Sequence, residues 1–331
     1  MTININKFDN DSTKKLIHNR MGRQYWVWSD DRLYEQRFGG PNGPYQVRNI
    51  QMLRLCKPNA RTIVDVGMNV ANNTMEYATW AQEVHGYEPF TPTFDLAEVN
   101  VEINKNLKLQ GRYFPSRDPN KPDGWWKQPD GTFASLDMTG KIVIHNKGLG
   151  DVPAFMKIEN HPHNAGHNCI ARSEENNKYE LFDVEIVTLD SQNLTDVDII
   201  KVDCEGYEYH VLKGAEQTIR RDRPIVQLEI VPMQCKKFGY TPQDLCDFFT
   251  KTIGNYRICD FTRRDLGQDW VVVKGVMDRF YVPEEIYQSV LAGQAIRSGK
   301  HPGMGKKIER PGIRKNKDTK ENTIFNNLFD Q

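Results

Sequence analysis

Between residues 61 and 230 short apolar runs alternate with segments of helical length. RTIVDVG (61–67), VHGYEP (84–89), KIVIHNKGLGD (141–151), FDVEIVTLD (182–190), DIIKVD (198–203) and PIVQLEI (224–230) read as strands. NNTMEYATWAQEV (72–84), FDLAEVNVEINKN (94–106) and YEYHVLKGAEQTIRR (207–221) read as helices, the last with Val211, Ala215 and Ile219 on one face. This rhythm predicts an α/β fold with a doubly wound, mostly parallel sheet. A further helix, TPQDLCDFFTKT (241–252), precedes YRICDF (256–261) and WVVVKGV (270–276), which read as a closing antiparallel pair. Such a pair departs from a plain dinucleotide-binding fold.

The flanks have a different texture. Residues 1–44 are polar and broken by GGPNGP, so a loosely structured N-terminal extension is expected. The domain proper is placed at 45–280. The segment 111–140, rich in Pro, Gly and Asp, reads as a long inserted loop. Residues 281–331 read as a helix followed by a basic tail, with nine Lys or Arg against four Asp or Glu from residue 297 onward. The whole chain of 331 residues carries no net charge, which excludes a global field recruiting a polyanion. The six cysteines form no CxxC pair, so a zinc quartet is not expected. A reduced, cytoplasmic setting fits them, the start lacks a signal-peptide core, and no run approaches the length of a membrane span.

In wound sheets ligands bind outside the carboxyl ends of the strands. After the first strand stands DVGMNVANNT, in which only Gly67 matches a dinucleotide fingerprint, so a pyrophosphate is disfavoured. A close backbone approach at Gly67, then a helix start at Asn72–Thr74, suits a smaller anion such as a carboxylate. Glu88 ends the second strand before Pro89, where an acid accepts two ribose hydroxyls. Ribose and carboxylate on one ligand describe S-adenosylmethionine better than NAD. The plainer reading, a turn and a solvated strand end, stays open.

The stretch IIKVDCEGYE (199–208) sets four charges in and just after a core strand. Lys201 shares a face with Asp203. A lysine buried in a doubly covered strand needs a partner, and Asp65 and Glu229 are the candidates. Asp203 is left to face a ligand. Glu205 and Glu208 fall where they suit the next helix, and for Glu208 simple capping is preferred.

TIVDVGMNVANNT, GYEP, NKGLGD, VTLDS, DIIKVDCEGYEYHVLKGAEQTI and RPIVQLEI together resemble, in order and spacing, the motif series of the FkbM family of S-adenosylmethionine-dependent methyltransferases, over roughly residues 45–235. The resemblance implies a class I methyltransferase fold, a Rossmann-like sheet of seven strands with the last antiparallel. Asp65, Gly67 and Asn69 match the first motif, Glu88 the ribose acid, and Asp203, Glu205 and Gly206 the DxEG element. Gly148 to Asp151 match the segment after the third strand that usually lies beside the adenine. GPYQ (43–46) resembles a pre-domain element that often ends in Glu, where this chain has Gln46. Ala71 stands where glycine is frequent, and the insertion lies outside the pattern.

The resemblance implies methylation of a hydroxyl on a sugar, glycan or small metabolite by in-line transfer, which asks for one general base. The candidates are Asp203 and His167, with Lys201 as their buried companion. The expected cofactor set is Asp65, Gly67, Asn69, Asn72, Thr74, Glu88, Pro89, Gly148, Leu149, Gly150 and Asp203. Glu205, Glu229, Asn164, Trp125 and Trp126 are candidates for acceptor contact, the tryptophans by stacking on a ring. HPHNAGHNC (161–169) offers three histidines, but its spacing fits no familiar ligand set, and no metal is expected. The basic termini raise a rival, a nucleic-acid methyltransferase holding RNA by its tail.

Overall fold

The computed structural model describes residues 3–19, 22–31, 34, 45–107, 109, 137–161, 164–173, 175, 177–260, 265–266 and 277–292. Trp125, Trp126, the expected strand 270–276 and the basic tail lie outside them. In chain order the elements begin with β1 (Lys14–His18), β2 (Gln24–Trp28), α1 (Val47–Cys56), β3 (Thr62–Val66), α2 (Asn72–Tyr77), β4 (Glu83–Tyr87) and α3 (Thr91–Asn104). Next come β5 (Lys141–His145), β6 (Gly148–Leu149), β7 (Ala154–Asn160), β8 (Cys169–Ile170), β9 (Glu180–Val187) and β10 (Val197–Val202). The chain continues through α4 (Glu208–Lys213), α5 (Glu216–Asp222), β11 (Ile225–Ile230), α6 (Pro232–Lys237), α7 (Pro242–Asp247), β12 (Tyr256–Cys259) and β13 (Met277–Pro283).

Seven strands form the main sheet in the order β12-β13-β11-β10-β3-β4-β5. β13 runs antiparallel to both neighbours, while β11, β10, β3, β4 and β5 are mutually parallel. This is the class I methyltransferase arrangement. Its centre is dry: every residue of β3 and β10 is buried, as near-continuous apolar runs covered on both faces require. The order reverses beside β3, so the turns after β3, β4 and β10 meet at one edge. A second sheet, β6-β9-β7-β8, stands on that side of the chain and contributes Ile158, Ile170, Val184 and Ile186 to the core under β10.

Several elements differ from the sequence-based expectation, each for a local reason. The helix expected over 72–84 stops at Tyr77, because Gln82 and Glu83 donate to the Ala60 and Arg61 carbonyls and the chain is already aligning on β3. The helix expected over 207–221 is two helices, α4 and α5. The Asp190 carboxylate accepts from Gln217 N, Thr218 N and Thr218 Oγ1, capping α5 separately, and Gly214 packs against the Gly150 carbonyl where a Cβ would meet it at 1.9 Å. Val211, Ala215 and Ile219 still share the buried face. β13 supplies the antiparallel partner of β12. Among the described residues no helix is long and apolar enough to cross a membrane.

Part of the N-terminal segment expected to be loose is ordered: the strands at residues 14–18 and 24–28. β1 and β2 form a hairpin with Tyr25 and Val27 fully buried. Two asparagines of α3 take the place of a neighbouring strand for β2. Asn100 accepts from Trp26 N at 2.6 Å and donates to Trp26 O at 3.0 Å and Val70 O at 3.1 Å. Asn104 accepts from Gln24 N at 2.9 Å and donates to Gln24 O at 2.6 Å. Arg23 and Glu76 add a buried ion pair at 2.6 Å. Asn100→Ala strands backbone groups of Trp26 and Val70 and is expected to cost about 3 kcal/mol in denaturant unfolding, with faster amide exchange across residues 24–28. An unchanged midpoint would show that the hairpin is held by its apolar face alone.

Candidate active site

The site is built from the turns that end β10, β3 and β4. Gly67 has φ +73, in the left-handed region, and a Cβ there would sit 1.9 Å from the Asp203 carbonyl oxygen. The close approach expected at Gly67 is therefore made by the chain itself, where the β3 and β10 turns touch. Gly67 N and Met68 N both donate to Tyr87 O at 3.0 Å, which ties the same turn to β4.

Lys201 lies beneath this junction, 3% exposed. Its ammonium donates to Gly67 O at 3.1 Å and is 3.4 Å from Asp65 Oδ1 and 3.5 Å from Asp203 Oδ2. Burial opposes its charge, but Asp203 and Asp65 outweigh burial and hold it well above the usual lysine range. The Asp65 partner is as expected and Glu229 is not: in register Lys201 faces Asp65 on β3 and Gln227 on β11, two residues short of Glu229. Thr74 Oγ1 donates to Asp65 Oδ2 at 2.6 Å, so Thr74 serves the ion pair. Asn72 keeps a buried Oδ1 without a hydrogen-bond donor.

Glu88, 7% exposed, follows β4. It accepts from Asn69 N at 3.1 Å and Phe90 N at 3.0 Å, one bond to each oxygen. Burial pushes its carboxyl up to about 7, against those two backbone donors. Gly148 presses on Pro89, and Asn146 Nδ2 donates to the carbonyls of Glu88 and Pro89 at 3.0 and 3.2 Å. Leu149 is buried, and Gly150 N donates to Val187 O at 2.9 Å, so this segment is pinned by β9 on one side and flanks Glu88 on the other.

The DCEG turn after β10 is organised by Glu208. Its Oε1 accepts from Cys204 N and Gly206 N, both at 3.1 Å, and its Oε2 lies 2.8 Å from the Tyr240 hydroxyl. Glu208 thus ties together the turn that precedes its helix, where simple helix capping was expected. Glu205, at φ +56, is held by the Gln234 side-chain amide. Carboxylate oxygens of Asp203, Glu205 and Glu229 lie within 4.8 Å of one another. Burial, then Asp203, Glu205 and Asp278, push Glu229 well above the usual carboxylate range, and burial raises Asp278 as well.

His167 is exposed on a single 3-10 turn, Ala165–His167. Asn164, just before it, keeps a buried Oδ1 without a donor. Sequence reasoning missed Tyr34, whose hydroxyl meets Asn69 Oδ1 at 2.6 Å and which lies in no motif, and it passed over Asn146, which opens the NKGLGD motif. It also missed Glu159, which faces His161 at 3.3 Å and Cys169 at 3.5 Å; the alternation of Glu159 and His161 on one strand edge was the available signal. Gln46, in place of the more frequent Glu, accepts from Asn73 Nδ2 at 2.7 Å.

The family model for the methyltransferase FkbM domain matches residues 65–261. Among solved structures, the chain is similar to methyltransferase FkbM from Methylobacillus flagellatus KT, with 16% identity, a TM-score of 0.37, and 67% of this chain and 44% of that one covered. It is also similar to precorrin-6y C5,15-methyltransferase from Geobacter metallireducens GS-15, with 9% identity, a TM-score of 0.36, and 72% and 89% covered. A third is the small RNA methyltransferase HEN1, with 11% identity, a TM-score of 0.35, and 73% and 28% covered. The chain thus spans less than half of the M. flagellatus structure. No curated protein matches it. The family match takes in more than half of the sequence, from Asp65 on β3 to just past β12, and the chain therefore belongs to the FkbM methyltransferase domain family.

Proposed function

We propose that the protein transfers a methyl group from S-adenosylmethionine to a hydroxyl on a sugar, glycan or small metabolite. The observation that carries this reading is the convergence of Asp203, the Gly67 turn and Glu88 at the ends of three adjacent strands. The residues suit the cofactor. Each Glu88 oxygen has one backbone donor and retains a lone pair for a ribose hydroxyl. The orphaned Asn72 Oδ1 is a ready acceptor for an ammonium, and the Gly148–Gly150 segment beside Pro89 offers a flat apolar flank to a base. An anionic rim offset by one lysine favours a cation over the pyrophosphate of NAD.

Bound S-adenosylmethionine would supply a methyl carbon made electrophilic by its sulfonium. The chain's task is alignment and proton removal. We assign the base to Asp203, which stands at the strand tip with Lys201 fixed behind it. His167 is the second candidate. Glu205, Glu229 and the orphaned Asn164 Oδ1 would meet acceptor hydroxyls. Residues 45–280 would form the catalytic unit, with 1–44 an extension docked through its hairpin and a cytoplasmic location in keeping with six cysteines that form no disulfide. The basic tail that motivated an RNA substrate lies outside the described residues, so that reading gains nothing here.

Calorimetry should show one molecule of S-adenosylmethionine bound per chain and no heat with NAD. Glu88→Gln should weaken binding roughly tenfold to a hundredfold, the loss of two hydrogen bonds to a charged group. Equal affinity in the variant would move the ribose elsewhere.

Glu88 also predicts two opposite pH trends. Its folded value is raised from 4.5 to about 7, so it contributes most to folding at acid pH, and that contribution is lost as pH rises from 4.5 towards 7. Ribose hydroxyls need the ionised form, so cofactor affinity should fall roughly tenfold per unit as pH drops below about 7. Glu88→Gln should flatten both curves; a pH-independent affinity in the unaltered protein contradicts the assignment.

Asp203→Asn should lower kcat about a hundredfold or more. Near-normal turnover with intact cofactor binding would remove Asp203 as the base, and the same outcome in His167→Ala would remove the alternative. The acceptor itself is found by incubating the protein with labelled methyl donor and cell extract and identifying the labelled product.

A further inference from the structure

We propose that Glu159, His161 and Cys169 form a three-ligand site for a thiophilic divalent cation of the zinc class, which locks β8 and His161 to β7. The site goes beyond the methyl-transfer reading and does not depend on it.

The three residues come from one corner of the second sheet. Glu159 and Cys169 are direct partners in the antiparallel β7–β8 register, and His161 follows Glu159 by two positions. Both neighbours converge on a single atom: His161 Nε2 is 3.3 Å and Cys169 Sγ 3.5 Å from Glu159 Oε2, and the sulfur and nitrogen are 4.0 Å apart. For a tetrahedral zinc, with bonds of roughly 2.3 Å to sulfur, 2.05 Å to nitrogen and 2.0 Å to oxygen, the ligand separations are about 3.3 Å for N···O, 3.5 Å for S···O and 3.6 Å for S···N. Two edges of the observed triangle match, and the third closes with a small turn of the cysteine side chain. The cation would stand where hydrogens of the imidazole and thiol now point at one carboxylate oxygen.

The surroundings are those of a held ligand set. Asn177 Nδ2 donates to the other Glu159 oxygen at 2.9 Å, His161 N donates to Asn168 Oδ1 at 2.8 Å, and the Tyr179 ring lies on the His161 ring with centroids 3.9 Å apart. A sulfur and an imidazole select a zinc-like ion over magnesium or calcium, and the fourth position is left for water or another oxygen. Lys178 and Lys237 are close enough to act on His161 and oppose a cation, which sets a ceiling on affinity. The structural need is plain: β8 has two residues, and the loop it closes carries Asn164 and His167.

The test uses untagged full-length protein, stripped with chelator and titrated with Co2+ and then Zn2+. One equivalent of Co2+ should bind with thiolate-to-metal charge transfer and the spectrum of a tetrahedral ion, and Zn2+ should displace it. Cys169→Ser should abolish the charge-transfer band. His161→Ala and Glu159→Gln should lower affinity about tenfold to a hundredfold. Glu229→Gln should leave binding unchanged, which separates this site from the Asp203–Glu205–Glu229 rim. Zn2+ should raise the melting temperature of the unaltered protein and not of His161→Ala, a readout that holds even if Cys169→Ser folds poorly. Binding without charge transfer, no binding, or affinity indifferent to His161 overturns the proposal.

Discussion

The ammonium of Lys201 is the interaction on which the site depends. A charge removed from water in a doubly covered strand costs several kcal/mol unless it is compensated on several sides. Here compensation comes from two carboxylates and one carbonyl, and these belong to different turns. Asp65 precedes the β3 turn, Gly67 O is within it, and Asp203 ends β10. Satisfying one lysine therefore fixes the relative height of two adjacent strands. Removing it would leave Asp65, fully buried, facing an apolar core with only Thr74 to answer it. The lysine is held charged by its neighbours, so it is a scaffold for Asp203 and not itself a proton acceptor.

From that junction the order spreads by backbone contacts. The Asp203 carbonyl occupies the space a side chain at 67 would need, and the Gly67 and Met68 amides reach the end of β4. Asn69 N then donates to Glu88. A ligand gripping Glu88 would feel the position of Asp203 through an unbroken path of three strand ends. Tyr34 and Gln46 close the path from outside, through Asn69 and Asn73. The N-terminal hairpin, fastened to α3 by Asn100 and Asn104, delivers the chain towards that position.

The central strands were legible because burial on both faces leaves a plain signature, unbroken apolar runs ending in Gly or Asp. The acids at their tips were legible for the same reason: a charge beside such a run must be explained. What escaped was whatever depends on partners distant in sequence. QYWVW is as good a strand as VHGYE, yet its edge is completed by two asparagines more than seventy residues away, which no local pattern announces. The break between α4 and α5 is imposed by Asp190, whose three accepted bonds outweigh the propensity of a continuous helix. The histidine loop misled in a similar way. Its linear spacing fits no familiar ligand set, while the contacts of His161 run to Glu159 and Cys169 across the β7–β8 ladder. Ligand sets assembled by strand pairing are invisible to linear spacing.

The electrostatics of the rim contain an apparent conflict. Glu88, Glu229 and Asp278 are all raised, each first by burial, so without a ligand the edge retains protons that ordinary carboxyls would have lost. A rim that stays partly neutral when empty is less self-repelling, and the sheet edge can be dry without unfolding. A cation at that edge would reverse the balance, since a positive charge close by favours the ionised form of every acid around it. A sulfonium bound there would release protons from Glu88, Glu229 and Asp278 as it entered.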